Sequence, residues 1–207
     1  MKKIVLIICV GIFSFTKAQS NFEKGMDKAF ELWQSDKVDE AVNLFERIAN
    51  AEKDNWLPHY YIAQINSLKS WNEKNETVLK VQLDKAQEHL NTAMSLSKNN
   101  PELLVMQGQI YTNWVAFDGS TYGMKYAAKI TELYNKAYSI DATNPRVAMC
   151  KADWAMGSAR YFGQDTKPFC EQVVASIAMF DSYKPESEYH PNWGRKRAEQ
   201  VVKECKE

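Results

Sequence analysis

The stretch Ala86–Tyr111, AQEHLNTAMSLSKNNPELLVMQGQIY, decides the fold. Ala86, Leu90 and Ala93 fall on one stripe of a helix, and Leu104, Gly108 and Tyr111 fall on a second. Between them Lys98-Asn99-Asn100-Pro101 halts the first helix and opens the next, because proline cannot continue a helix but suits a first turn. The unit is a helix, a tight turn and another helix.

Upstream the unit recurs. Met26, Ala29, Phe30 and Trp33 form a stripe from about Asn21 to Gln34, Asp36 and Lys37 make a turn, and Ala41, Leu44, Phe45, Ile48 and Ala49 form the stripe of a partner helix. Small Ala29 and Ala41 let these two helices approach closely. Ala63 stands 34 residues after Ala29, in a helix that opens near Pro58 and carries Tyr61, Ile62 and Ile65. Its partner, Thr77 to Leu96, arrives late because about eleven residues around Lys69 to Leu79 are inserted, roughly three helical turns. The insert reads as longer helices plus a polar loop from Trp71 to Asn75.

Downstream, Pro101 opens a third pair whose second helix carries Ala127, Ile130, Leu133, Tyr134, Ala137 and Ile140, after a loop read from Phe117 to Gly123. Asp141-Ala142-Thr143-Asn144-Pro145 closes that pair and opens a fourth, with Ala152 in the small-residue register, Tyr161 to Asp165 as its loop and Pro168 to Phe180 as its second helix. His190-Pro191-Asn192-Trp193-Gly194 then leads into a last helix, Arg195 to Lys206, apolar at Ala198, Val201 and Val202. Such a helix suits the cap that a stack of repeats needs at its open end, with Trp193 packed on the fourth pair. The hairpins fall at about 22–55, 56–100, 101–144 and 145–181, with the cap at 191–207.

The first segment points out of the cytoplasm. Lys2 and Lys3 precede an apolar run from Ile4 to Phe15, and Thr16-Lys17-Ala18 supplies small residues where a signal peptidase reads, so residues 1–18 are expected to be a signal peptide cleaved near Ala18. The run is short of the roughly 20 apolar residues that span a bilayer, and Ile8 before Cys9 does not fit a lipid-anchor signal. Cleavage leaves 23 basic against 26 acidic residues in a chain that is neutral overall before it. Neither nucleic acid nor anionic lipid is drawn by such a charge. The expected location is the periplasm or the exterior of a Gram-negative envelope, with no transmembrane segment in the mature chain.

Three cysteines remain after cleavage, Cys150, Cys170 and Cys205. An oxidising compartment permits one disulfide and leaves one thiol over. Buried small hydrophobes are the plain reading, and Cys170 with Cys205 is the preferred pair should one form.

Catalysis finds little support. His59, His89 and His190 lie far apart with no second ligand at helical spacing, and no metalloprotease, nucleophile-elbow, phosphate-loop or dinucleotide motif occurs. Cys150 or Cys170 with a distant histidine is the one nucleophile pairing left to coordinates. No enzyme, cofactor or metal site is expected.

Self-similarity at this period is the sign of stacked helical hairpins. On Ala29, Leu32, Ala41, Phe45 and Ile48, then Ala63, Ala86, Leu90 and Ala93, then Gly108, Tyr111, Tyr134 and Ala137, then Ala152, the chain resembles the tetratricopeptide repeat family over residues 22–181. It departs from the family at Lys53, Lys98 and Ala142, where a proline usually follows the second helix. The whole also looks like small exported tetratricopeptide proteins of Bacteroidetes, which have no assigned activity. The resemblance implies an all-α fold, a right-handed α-α superhelix of about four irregular hairpins. It also implies that first helices line a concave groove, through Glu23, Met26, Phe30 and Trp33, then Tyr60, Gln64 and Ser67, then Val105, Gln109 and Asn113, then Arg146, Met149 and Asp153.

Amide, aromatic and charged groups in one groove suit an extended peptide. The expected function is therefore a non-enzymatic, exported adaptor for a protein or peptide partner in the cell envelope. An alternative is a small-molecule binder or enzyme on the loop edge, where the extra length gathers Phe117, Asp118, Tyr122, Tyr161, Phe162 and Asp165. A second alternative is a self-associating structural protein that buries Met26, Phe30 and Trp33 between copies. The same three aromatic and sulfur-bearing residues equally suit packing on a neighbouring helix or cap.

Overall fold

Short polar side chains set where the helices begin. In the computed structural model, which describes residues 20–205, Ser20 and Glu23 form a reciprocal capping box, and Asn55, Asn75, Asn100, Asp118 and Asn144 each accept from backbone N–H groups of the turn that follows. The helices so started are α1 (Asn21–Gln34), α2 (Val38–Ala51), α3 (Trp56–Ser70), α4 (Glu76–Leu96), α5 (Pro101–Phe117), α6 (Gly119–Ile140), α7 (Pro145–Tyr161), α8 (Lys167–Ser182) and α9 (Arg195–Glu204). Asp36 and Asn99 take left-handed backbone angles, φ 62° and 56°, in the turns after α1 and α4. Their short polar side chains tolerate that conformation.

The helices stack in chain order. Each packs on the next, and α5 also touches α3 on one side and α7 on the other, so hairpins stand in a row. Ala29, Ala41, Ala63, Ala86, Ala93, Ala137 and Ala152 are fully buried at the close approaches. Gly108 belongs to the same register: a Cβ there would lie 2.5 Å from Cε1 of Tyr134. One apolar cluster joins α1 to α5 and another joins α5 to α9, with Met94 and Tyr111 touching both. No helix among the described residues is long and apolar enough to cross a membrane. The leader expected at residues 1–18 lies outside the described residues.

Two features differ from the sequence reading. Phe117 to Gly123 is not a loop: Asp118 accepts from the N–H groups of Ser120 and Thr121 at 3.0 and 3.1 Å, and it alone separates α5 from α6. The extra length instead makes α4 and α6 the longest helices, at 21 and 22 residues.

The second difference is a strap. Residues 183–194 leave α8 and cross the first helices of the early hairpins instead of running straight to the cap. Tyr61 Oη donates to the Tyr189 carbonyl at 2.7 Å, Tyr189 Oη donates to Asp27 Oδ1 at 3.0 Å, and Trp193 Nε1 donates to Tyr60 Oη at 2.7 Å. The chain then turns at Gly194, φ 112°, where a side chain would strike Phe180. Beyond it α9 buries Ala198 and Val201 against α8, and a disulfide joins Cys170 of α8 to Cys205. Cys150 stays free and buried.

Candidate functional site

The strap lies across the first helices α1 and α3. At its α1 end Tyr189 is sealed among Phe22, whose ring lies 5.5 Å away edge-on, and Phe30, whose ring stacks at 6.4 Å. Met26 and Tyr60 are wholly buried beneath it, and Phe30 and Trp33 are partly buried, packed on the same core. Four of the expected groove residues are thus in contact with the chain itself.

Arg146 is also inside. Its guanidinium meets the Glu102 carboxylate through Nε at 2.8 Å and Nη2 at 2.5 Å, Asn144 Nδ2 donates to that same carboxylate at 2.6 Å, and the Tyr183 ring covers it at 4.8 Å. This closed set ties α5 to α7 and to the start of the strap. Of the loop-edge residues, Tyr122 donates to Glu76 Oε1 at 2.6 Å, a bond that pushes its phenol up to about 12, and packs on Trp114 at 4.7 Å. Phe162 is 70% exposed and touches Tyr161 edge-on at 5.1 Å.

The remaining four, Gln64, Gln109, Asn113 and Asp153, border one cleft of about 510 Å³ between α3, α5 and α7. Leu68, Trp71, Val115, Ala116, Met149 and Trp154 supply apolar wall, and Trp193 and Arg197 close the side that the C-terminal segment reaches. Leu68 and Trp71 remain 57% and 50% exposed at its rim. Sites for organic ligands occupy this range of volume and have this make-up, mostly apolar with a few placed polar groups.

Electrostatics inside the cleft are muted. Asp153 and Arg197 form a two-pronged pair, both contacts at 3.0 Å, and Glu204 adds a third at 3.2 Å. Asn113 is committed to α3, donating to Ser67 O at 2.7 Å. Burial pushes the Cys150 thiol and the Tyr134 phenol well up, so neither is an anion at neutral pH. With Cys170 in a disulfide and Cys150 held as a thiol, the cysteine–histidine nucleophile left open above has no reactive thiolate to use. Among the described residues no group of three or more His, Cys, Asp or Glu side chains gathers to hold a metal. His59 and His89 instead face each other across α3 and α4, Nδ1 to Nδ1 at 2.9 Å, away from the cleft.

The sequence reading missed residues of two kinds. Leu68 and Trp71 continue the Gln64 stripe by one and two turns, and Trp154 adjoins Asp153, so extending the helical register finds them. Trp193 and Arg197 enter from the far end of the chain, a placement with no periodic signal.

No family model matches the chain, and no curated protein matches it. Among solved structures it is similar to the HusA haemophore from Porphyromonas gingivalis, with a TM-score of 0.76 and 20% identity over 90% of this chain and 94% of that one. At that identity the likeness is one of fold.

Proposed function

We propose that this chain is an exported, non-enzymatic binding protein that holds a flat, largely apolar small molecule of the tetrapyrrole class in the cleft between α3, α5, α7 and the strap. The observation that carries the reading is the cleft itself, about 510 Å³, with three indoles, Trp71, Trp154 and Trp193, around it. Indoles offer broad faces to a planar ligand at small cost in conformational freedom. A haemophore of the same fold supplies the ligand class, and the signal-like leader supports export. Kinship with tetratricopeptide arrays is supported by the small-residue register at Ala29, Ala63, Gly108 and Ala152.

This reading favours the small-molecule alternative over a peptide adaptor. Met26, Phe30 and Tyr60, which an adaptor or a self-associating protein would present to its partner, already pack within the chain. The three histidines lie outside the cleft, so the ligand is held by its faces and not by an axial imidazole. Titrating the protein with haemin, and with metal-free protoporphyrin, is expected to give saturable changes in visible absorption with both. Joint substitution of Leu68→Asp and Trp71→Ala is expected to weaken each by at least about tenfold, given what burying two large apolar groups contributes. No saturable change with these two or with an open-chain tetrapyrrole would remove the proposal.

A further inference from the structure

Two carboxamides sit at one level of the cleft. Asn113 Nδ2 on α5 reaches Ser67 O and Ser67 Oγ on α3 at 2.7 and 3.0 Å, which fixes the register of the two helices. One turn back along each lie Gln109 and Gln64, both on the cleft wall. Gln64 is only 7% exposed, and its Oε1 has no hydrogen-bond partner. Among the described residues the other such oxygen belongs to Gln82 on α4, outside the cleft. Gln109 Nε2 has Cys150 Sγ at 4.0 Å, a weak acceptor.

A buried amide oxygen left without a donor costs free energy that nothing in the apo fold returns. A half-turn about the last torsion of Gln64 exchanges its oxygen and its NH2, so it offers the cleft an acceptor, a donor or both. The matching group carries an N–H and a C=O side by side on one edge, which is a cyclic amide. We propose that Gln64 and Gln109 read a lactam edge on the ligand. Resting on the tetrapyrrole reading above, the ligand class is then the open-chain tetrapyrrole, whose two terminal rings are lactams. A closed macrocycle turns its nitrogens inward and presents no such edge.

The test titrates the disulfide-intact protein with biliverdin and with haemin, following tryptophan fluorescence. The unaltered protein binds biliverdin, and the ratio of biliverdin to haemin affinity falls at least about tenfold in Gln64→Met and in Gln109→Met, the scale set by a polar site left unpaired. Gln82→Met leaves the ratio unchanged. Haemin binding without biliverdin binding, or an unchanged ratio in both cleft variants, overturns the proposal while the tetrapyrrole reading stands. Quenching by neither ligand overturns both. Circular dichroism melting identifies a variant that fails to fold, and if Gln64→Met does so, Gln109→Met alone decides.

Discussion

Arg146 stands on the first helix of its hairpin, where the repeat register would aim it at a partner, yet its guanidinium faces Glu102 in the interior. Periodicity places a Cα on a face; which long side chain turns inward depends on a counter-charge 44 residues away, and that is not written in either local pattern. Breaking such a pair leaves one charge buried and unpaired, so Arg146→Met is expected to lower unfolding free energy by about 3–5 kcal/mol, with Glu102→Leu added in the same chain restoring much of it. Urea denaturation reads both. The His59–His89 contact carries a pH dependence. Burial lowers both imidazoles from the ordinary 6.5, and His89 lowers His59 further, whereas Glu46 and Glu88 oppose the shift at His89 and Lys85 adds to it. A lowered folded-state value means that neutral imidazoles stabilise the fold above pH 6.5, and this contribution is lost as the pH falls from 6.5 through the lowered values. Melting temperature is therefore expected to drop between pH 7 and pH 5, and to drop less in His89→Gln.

At the scale of elements, the helices were readable because each carries its own stripe, stop and cap. The start of α6 was not, because Gly119 and Gly123 look like breakers whereas the Asp118 carboxylate, held down to about 2 by hydrogen bonds from Ser120 and Thr121, satisfies the first turn and begins the helix at once. The strap escaped for another reason: residues 183–194 have no period of their own, and their course is set by Tyr60, Tyr61 and Asp27, more than a hundred residues upstream. What keeps the strap in place at its far end is α9, fastened by Cys170–Cys205 across a separation of 35 residues. Closing a loop of that length in the unfolded chain is worth about 3–4 kcal/mol by chain entropy. Reduction, or paired Cys170→Ser and Cys205→Ser, is expected to lower stability by about that amount and to release Trp193 from Tyr60, which denaturation curves and the polarity of the tryptophan emission report separately.

For the molecule as a whole, the row of hairpins followed from a recurring small residue, but the use of the face that α1, α3, α5 and α7 share did not. The chain covers the α1 end of that face with its own Tyr189 and leaves a cleft between α3, α5 and α7. The claim that this cleft is the binding site is open to an internal readout, since the six tryptophans divide evenly. Trp71, Trp154 and Trp193 border the cleft, whereas Trp33, Trp56 and Trp114 do not. The decisive measurement is the set of six indole N–H resonances as protoporphyrin is added. If the cleft is the binding site, Trp71, Trp154 and Trp193 show large ring-current shifts with the other three near their free positions; shifts confined to Trp33 and Trp56, or none at saturation, contradict it.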